Sequence, residues 1–207
     1  MSAHLTEATD EIENSEFEKE GWQLPEAKEG VHALLALLGR DSLTDEAVKE
    51  TPARFVKAMR EIAEPDTSTS PAEILSKQFD SDSTAPVFVG PVSFTSLCEH
   101  HLLPFTGRAW LAYQPDGSKV VGLSKLGRLV RYYAKRPQIQ EGLTSNLLDA
   151  LMEHAPAQGA FVYIEGEHTC MSLRGIKVEG SRMVTVQGAG TMEPGSALYS
   201  DMLSLTR

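Results

Sequence analysis

AWLAYQPDGSKVVGLSKLGRLVRYYAKRP, residues 109–137, holds two periodicities and the point where one replaces the other. Ala109–Gln114 and Lys119–Leu123 are short apolar runs on either side of Pro115-Asp116-Gly117-Ser118, a turn composition, and read as a β-hairpin. Ser124 reads as an N-cap, and beyond it the spacing changes: Leu126, Leu129, Val130 and Tyr133 fall on one face of a helix. Pro137 breaks that helix and starts a second, with Ile139, Leu143, Leu147, Leu148, Leu151 and Met152 directed inward.

The same textures extend outward. Upstream, Val87, Phe88, Val89, Val92 and Phe94 form a strand leading into Cys98. Downstream, Phe161–Ile164 and Met183–Val186 supply two more strands, and a short helix is expected over Gly195–Leu205. The order strand, strand, helix, helix, strand, strand predicts an α+β fold, an antiparallel four-stranded sheet with two helices on one face. Such a sheet leaves open edges, which oligomerisation commonly covers.

Before Ala85 the chain is helical. Val31, Leu34, Leu35 and Leu38 recur at helical spacing and end at Gly39. Thr51-Pro52 signals a second helix start, with Phe55, Val56, Met59 and Ile62 as its apolar face. Residues 64–85 read as a connector with a short helix around Ala72–Lys77. The organisation expected is therefore an acidic mobile tail over 1–23, a helical region over 24–84, and the sheet-bearing domain over 85–207.

At 207 residues and 41% hydrophobic content, the chain is long enough to bury a core. No apolar run is long enough to cross a bilayer, and the first residues are acidic rather than signal-like, so a soluble cytoplasmic protein is expected. The net charge of −10 is uneven: residues 1–29 carry nine acids against Lys19 and Lys28, a net of −7, leaving −3 for the other 178. That balance argues against nucleic-acid binding, which depends on neutralising phosphates. An anionic ligand would need a local cluster of bases.

The chain has two cysteines, and both lie beside histidines, in Cys98-Glu99-His100-His101 and His168-Thr169-Cys170. A disulfide fits a reducing compartment poorly, and a buried thiol acting as a small hydrophobe leaves the histidines unexplained. Two thiolates and one imidazole would instead give Zn²⁺ three ligands and leave a fourth position open, the pattern of a catalytic site. In an extended segment His100 and His101 would point opposite ways, so one would be a ligand and the other a proton-transfer or positioning group. His168, in an extended segment, would share a face with Cys170 and suits a general acid/base. His4, His32 and His154 read as tail, helix surface and helix C-terminus.

Ser124-Lys125-Leu126-Gly127-Arg128 sets two cations at i and i+3, followed by Arg131, Lys135 and Arg136. This is either a solvated face or a phosphate cradle at a helix N-terminus. Arg174 follows Cys170 by four residues. Glu141, after Gln140, is in the first place a helix-dipole partner, and could instead accept two parallel N–H bonds from a guanine edge.

Cys98-Glu-His-His101, Gly122-Leu-Ser-Lys125 with Arg128, Arg136-Pro-Gln-Ile-Gln-Glu141, and His168-Thr-Cys170 with Arg174-Gly175 together resemble GTP cyclohydrolase I, with motifs in order from about Thr51 to Gly188. The resemblance implies a T-fold domain over 85–207 and a toroidal homo-oligomer, a decamer with active sites between subunits and allosteric control. It implies a cyclic amidine hydrolase that opens the imidazole ring of GTP, releases C8 as formate and yields 7,8-dihydroneopterin triphosphate, the first step of tetrahydrofolate and pterin biosynthesis. By the same resemblance Cys98, His101 and Cys170 hold zinc, and His100 and His168 are catalytic. Gln140 and Glu141 bind guanine, and Ser124 contacts substrate. Lys125, Arg128 and Arg174 bind the triphosphate, joined by Arg54 from a neighbouring subunit. The same reaction feeding 7-deazapurine synthesis, or a silent GTP-binding relative, are the alternatives. Two departures stand out: Gly142, where the family pattern has a basic residue, and the segment after Gly188.

Overall fold

The computed structural model describes residues 25–206. The acidic tail expected over 1–23 lies outside them. The chain divides between Arg60 and Glu61 into two compact units.

In the first unit, α1 (Pro25–Leu37) buries Val31, while Leu34, Leu37 and Leu38 stay exposed. Gly39, at φ +80, ends the helix where the sequence places its stop. The following loop is tied by Arg40 to Asp45 and by His32 to Ser42. The next helix, α2 (Thr51–Ala63), starts at the Thr-Pro signal, buries Pro52 and Val56, and runs across the boundary between units.

In the second unit the 64–85 connector contributes structure of its own. α3 (Pro71–Leu75) is held by a capping box in which the Ser70 hydroxyl accepts from the Glu73 N–H and the Glu73 carboxylate accepts from the Ser70 N–H. β1 (Gln78–Asp80) follows. The main sheet is built from β2 (Val87–Cys98), β3 (Pro104–Pro115), β6 (Ala157–His168) and β7 (Met183–Gly190), all antiparallel. Between β3 and β6 lie β4 (Lys119–Val121), α4 (Leu123–Ala134), β5 (Pro137–Gln138) and α5 (Gln140–His154). After β6 come α6 (Thr169–Ser172), then β7 and α7 (Ala197–Ser204).

The expected α+β architecture is present, with three corrections of detail. The hairpin does not form: β4 pairs with β1, Gln78 opposite Val121, because both edges of β3 are occupied by β2 and β6. The Tyr113 hydroxyl, accepting from the Val121 N–H at 2.8 Å, links β4 to β3. Helix α4 starts one residue before Ser124, with Gly122 at the cap and no side chain capping it, so Ser124 is the second helical residue. Pro137 does not open α5. Pro137–Gln138 instead adds a fifth strand, parallel to Leu97–Cys98, and α5 begins at Gln140.

Alternation along the strands divides the sheet into two faces. Phe94 and Cys98 on β2, Phe105, Ala109, Leu111 and Tyr113 on β3, and Ala160, Val162 and Ile164 on β6 pack against α4 and α5. The helices bring Leu126, Leu129, Val130, Leu143, Leu147 and Leu151 to that face, the positions their spacing selects. Each such leucine, fully buried, contributes about 1.5–3 kcal/mol. On the opposite face Ala112, Phe161, Met192 and Met202 form a smaller core under α7, whose N-cap is Ser196. No described helix is long and apolar enough to cross a membrane.

Candidate metal centre and active site

The site lies where the helix-facing stripes of three strands run out. Cys98 is the last residue of β2 and is buried. A tight turn follows: the Cys98 carbonyl accepts from the Leu102 N–H at 2.8 Å, and the Cys98 N–H donates to the Leu103 carbonyl at 2.9 Å. Leu102 occupies the left-handed region at φ 52, a conformation that costs a residue with a branched side chain about 1–2 kcal/mol. The backbone at the His100-His101 pair is thus a turn rather than extended. The two rings lie 6.4 Å apart at 69°, with His100 Nδ1 3.8 Å from the Cys98 sulfur and a His101 ring nitrogen within 4.8 Å of it.

Cys170 arrives from the other end of the sequence. His168 ends β6, opposite Phe105 in register, and Cys170 sits in the short helix α6. The Thr169 hydroxyl donates to the Pro104 carbonyl at 2.5 Å and ties this corner to the start of β3. His168 and Cys170 are therefore not two positions of one extended segment. Cys98 and Cys170 come within 3.9 Å, sulfur to sulfur, and the ligand atoms of Cys98, His101 and Cys170 all lie within 4.8 Å of one another.

That donor set fits a tetrahedral cation of borderline softness. Zinc–sulfur bonds of about 2.3 Å place two thiolates roughly 3.8 Å apart. Burial and the neighbouring Cys98 thiol push the Cys170 thiol above its ordinary pKa. A cation held by Cys98 and Cys170 would reverse that preference by favouring both thiolates. Arg174, at the edge of the cluster, donates from Nη1 to His101 Nε2 at 2.7 Å.

His168 is 9% exposed and stacks on Phe105 at 4.4 Å and 6°. Burial lowers its pKa from the ordinary imidazole value, and the Glu141 carboxylate opposes that shift. Its Nε2 lies 3.1 Å from Oε1 of Gln140, the first residue of α5. Gln140 is completely buried and its amide nitrogen contacts Ile164 O, Met183 O and Thr185 Oγ1, whereas Glu141 beside it is exposed. The sequence reading missed Phe105, Thr185 and Gly166 around His168. A glycine inside a strand two residues before a candidate acid/base was the available signal.

The basic residues come from separate parts of the chain. Lys125 and Arg128, one helical turn apart on α4, line an open groove of about 410 Å³ with Arg131 and Lys135, and the carboxylates of Asp66 and Glu73 line it too. Ser124 is exposed in the first turn of the same helix. Arg174 stands at the thiol–imidazole cluster instead, and Arg54 lies on α2 in the first unit.

The family model for GTP cyclohydrolase I matches residues 27–207. The chain belongs to the GTP cyclohydrolase I family. A Bifidobacterium longum (strain DJO10A) protein named GTP cyclohydrolase 1 is 45% identical over 194 residues, covering 94% of this chain and 96% of that protein. A Clostridium perfringens (strain 13 / Type A) protein of the same name is 40% identical over 178 residues, covering 86% of this chain and 95% of its own length. A third, from Desulforamulus reducens, is 39% identical over 184 residues, covering 89% and 97%. The GTP cyclohydrolase I match extends past Gly188, where the motifs stop, through the strand end and α7 that build the smaller core. It spans every site residue named above.

Proposed function

We propose that this chain hydrolyses GTP at C8, releases formate and produces 7,8-dihydroneopterin triphosphate, with Zn²⁺ held by Cys98, His101 and Cys170. The observation that carries the proposal is the convergence of those three ligand atoms within 4.8 Å, beside a buried histidine, in a chain of this family. A bound zinc ion supplies a hydroxide-like nucleophile near neutral pH by lowering the pKa of water.

The chain's own residues do the rest. His168, clamped by Phe105, moves a proton to or from the ring nitrogen that leaves as the imidazole opens. His100 is the second proton-transfer group, adjacent to Cys98. Glu141, exposed at the start of α5, accepts from guanine N1–H and N2–H. Lys125 and Arg128, with Ser124 in the same helix turn, hold triphosphate oxygens, and Arg174 approaches from the metal side.

Arg54 reaches the triphosphate from a neighbouring copy in a toroidal homo-oligomer of the T-fold kind, a cytoplasmic decamer with its sites between subunits. Two observations support such an assembly. β7 ends the sheet, where a further strand can add. Exposed Leu173, Ile176 and Val178 follow the Cys170 motif, apolar surface that a second copy would cover.

The test is purified protein with GTP, following formate and the absorbance of the pterin product with and without a zinc chelator. Chelator-sensitive formation of both products is expected. Bound zinc without turnover would overturn the reaction while leaving the metal site intact.

A further inference from the structure

The side chain of Gln140 has a single consistent hydrogen-bonding arrangement. Its amide nitrogen faces the carbonyl oxygens of Ile164 at 3.2 Å and Met183 at 3.1 Å, and Thr185 Oγ1 at 3.1 Å. Turning the amide over would set its oxygen against two carbonyl oxygens, so the NH₂ must point there. Neighbouring hydroxyls agree. Thr144 Oγ1 spends its only proton on the Gln140 carbonyl at 2.9 Å. The 2.6 Å contact between Thr144 and Thr185 then requires Thr185 to donate, which leaves Thr185 Oγ1 as an acceptor for the Gln140 amide.

Oε1 is thereby directed at His168 Nε2, 3.1 Å away. An amide oxygen only accepts, so in the neutral imidazole the proton is on Nε2 and the lone pair on Nδ1. The stacking of Phe105 at 4.4 Å and 6° fixes the plane of the ring, and the Gln140 bond fixes its rotation within that plane. Gly166 leaves the room: a Cβ there would fall 2.4 Å from Gln140 Oε1 and 3.6 Å from His168 Nε2. Complete burial of Gln140 keeps competing water from the bond.

We propose that Gln140 is a positioning residue for His168: its carboxamide selects the Nε2–H tautomer and presents Nδ1 as the nitrogen that exchanges a proton with the substrate. The role of Nδ1 rests on the reaction proposed above; the tautomer does not. The side chain of Gln140 then serves the histidine, and guanine recognition falls to Glu141.

The test is ¹⁵N magic-angle-spinning NMR of the zinc-loaded protein labelled in histidine, at a pH where the ring is neutral, with His168 assigned by difference from His168→Ala. A protonated Nε2 and an unprotonated Nδ1 are expected in the unaltered protein. The opposite tautomer would overturn the proposal whether or not the protein turns over GTP. Gln140→Met, which keeps the volume and removes the carboxamide, is expected to mix the tautomers and lower kcat about 10- to 100-fold, the range for a residue that orients a catalytic group. KM for GTP and zinc content should stay within about threefold. Gly166→Ala, which keeps the Gln140 anchors and displaces Oε1, should move the His168 signals the same way and covers a Gln140→Met protein that fails to fold. A raised KM with unchanged kcat and an unchanged tautomer would return Gln140 to guanine binding and overturn the proposal.

Discussion

The sulfur atoms of Cys98 and Cys170 stand 3.9 Å apart, although 72 positions separate the two residues along the chain. The ladder between β3 and β6 makes this possible. Phe105 lies opposite His168, so the turn after β2 and the helix after β6 meet at one corner of the sheet. Cys170→Ser replaces a soft thiolate with a hydroxyl and leaves two strong ligands. Zinc content measured on the purified protein should fall to a small fraction of one per chain, and formate release should fall with it. Retention of both metal and full activity would remove Cys170 from the site.

Glu141 is exposed at the second position of α5, while its neighbour Gln140 is completely buried. A charge-assisted pair of bonds to guanine contributes roughly 1.5–3 kcal/mol, so Glu141→Ala should lower kcat/KM for GTP by about 10- to 100-fold. Zinc content should not change. Discrimination between GTP and ITP, which lacks the 2-amino group, should also shrink in the variant. Undiminished discrimination would place guanine recognition elsewhere.

Much of this site was legible in the sequence because its chemistry is carried by rare residues. Two cysteines, each two positions from a histidine, limit the metal set before any fold is known. The helix faces of α4 and α5 were equally legible, since Leu126, Leu129, Leu143 and Leu147 recur at the helical period and all are buried. Strand pairing was not. Lys119–Val121 looks like half of a hairpin because the local turn is favourable, but β3 is already paired on both edges and β4 finds β1. Local composition does not report which edge is free. The burial of Gln140 was not legible either, because it comes from side-chain contacts with Ile164 and Met183, 24 and 43 positions further along the chain.

Tyr113 carries the pH-dependent stability of the β3–β4 contact. Burial raises its phenol above the usual value of about 10, and the Val121 N–H at its oxygen offsets part of that shift. With the folded pKa above the unfolded one, its contribution is fully present below the unfolded value and is lost as pH rises toward the folded value. Urea unfolding across the alkaline range should therefore show stability falling more steeply in the unaltered protein than in Tyr113→Phe. Burial shifts Tyr133 in the same direction, so the slope should be reduced in the variant without vanishing. At neutral pH the variant should be about 1–3 kcal/mol weaker, because the Val121 N–H loses its acceptor. Parallel slopes would show that the Tyr113 phenol is not held protonated by the fold.

Gly142 is the third residue of α5. A Cβ there would meet only Ile139 Cγ1 at 3.7 Å, an ordinary contact, and the residue is not among the glycines at positive φ. Neither packing nor backbone conformation requires glycine at this position. Helix propensity alone then predicts that Gly142→Ala stabilises the protein by about 0.5–1 kcal/mol. The expected rise in Tm is roughly 1–4 °C. Kinetics separate stability from function, because Glu141 precedes this position directly. An unchanged KM for GTP, with the higher Tm, would mean that the glycine is only tolerated. A several-fold rise in KM, despite the higher Tm, would mean that the guanine edge uses the space left by the missing side chain.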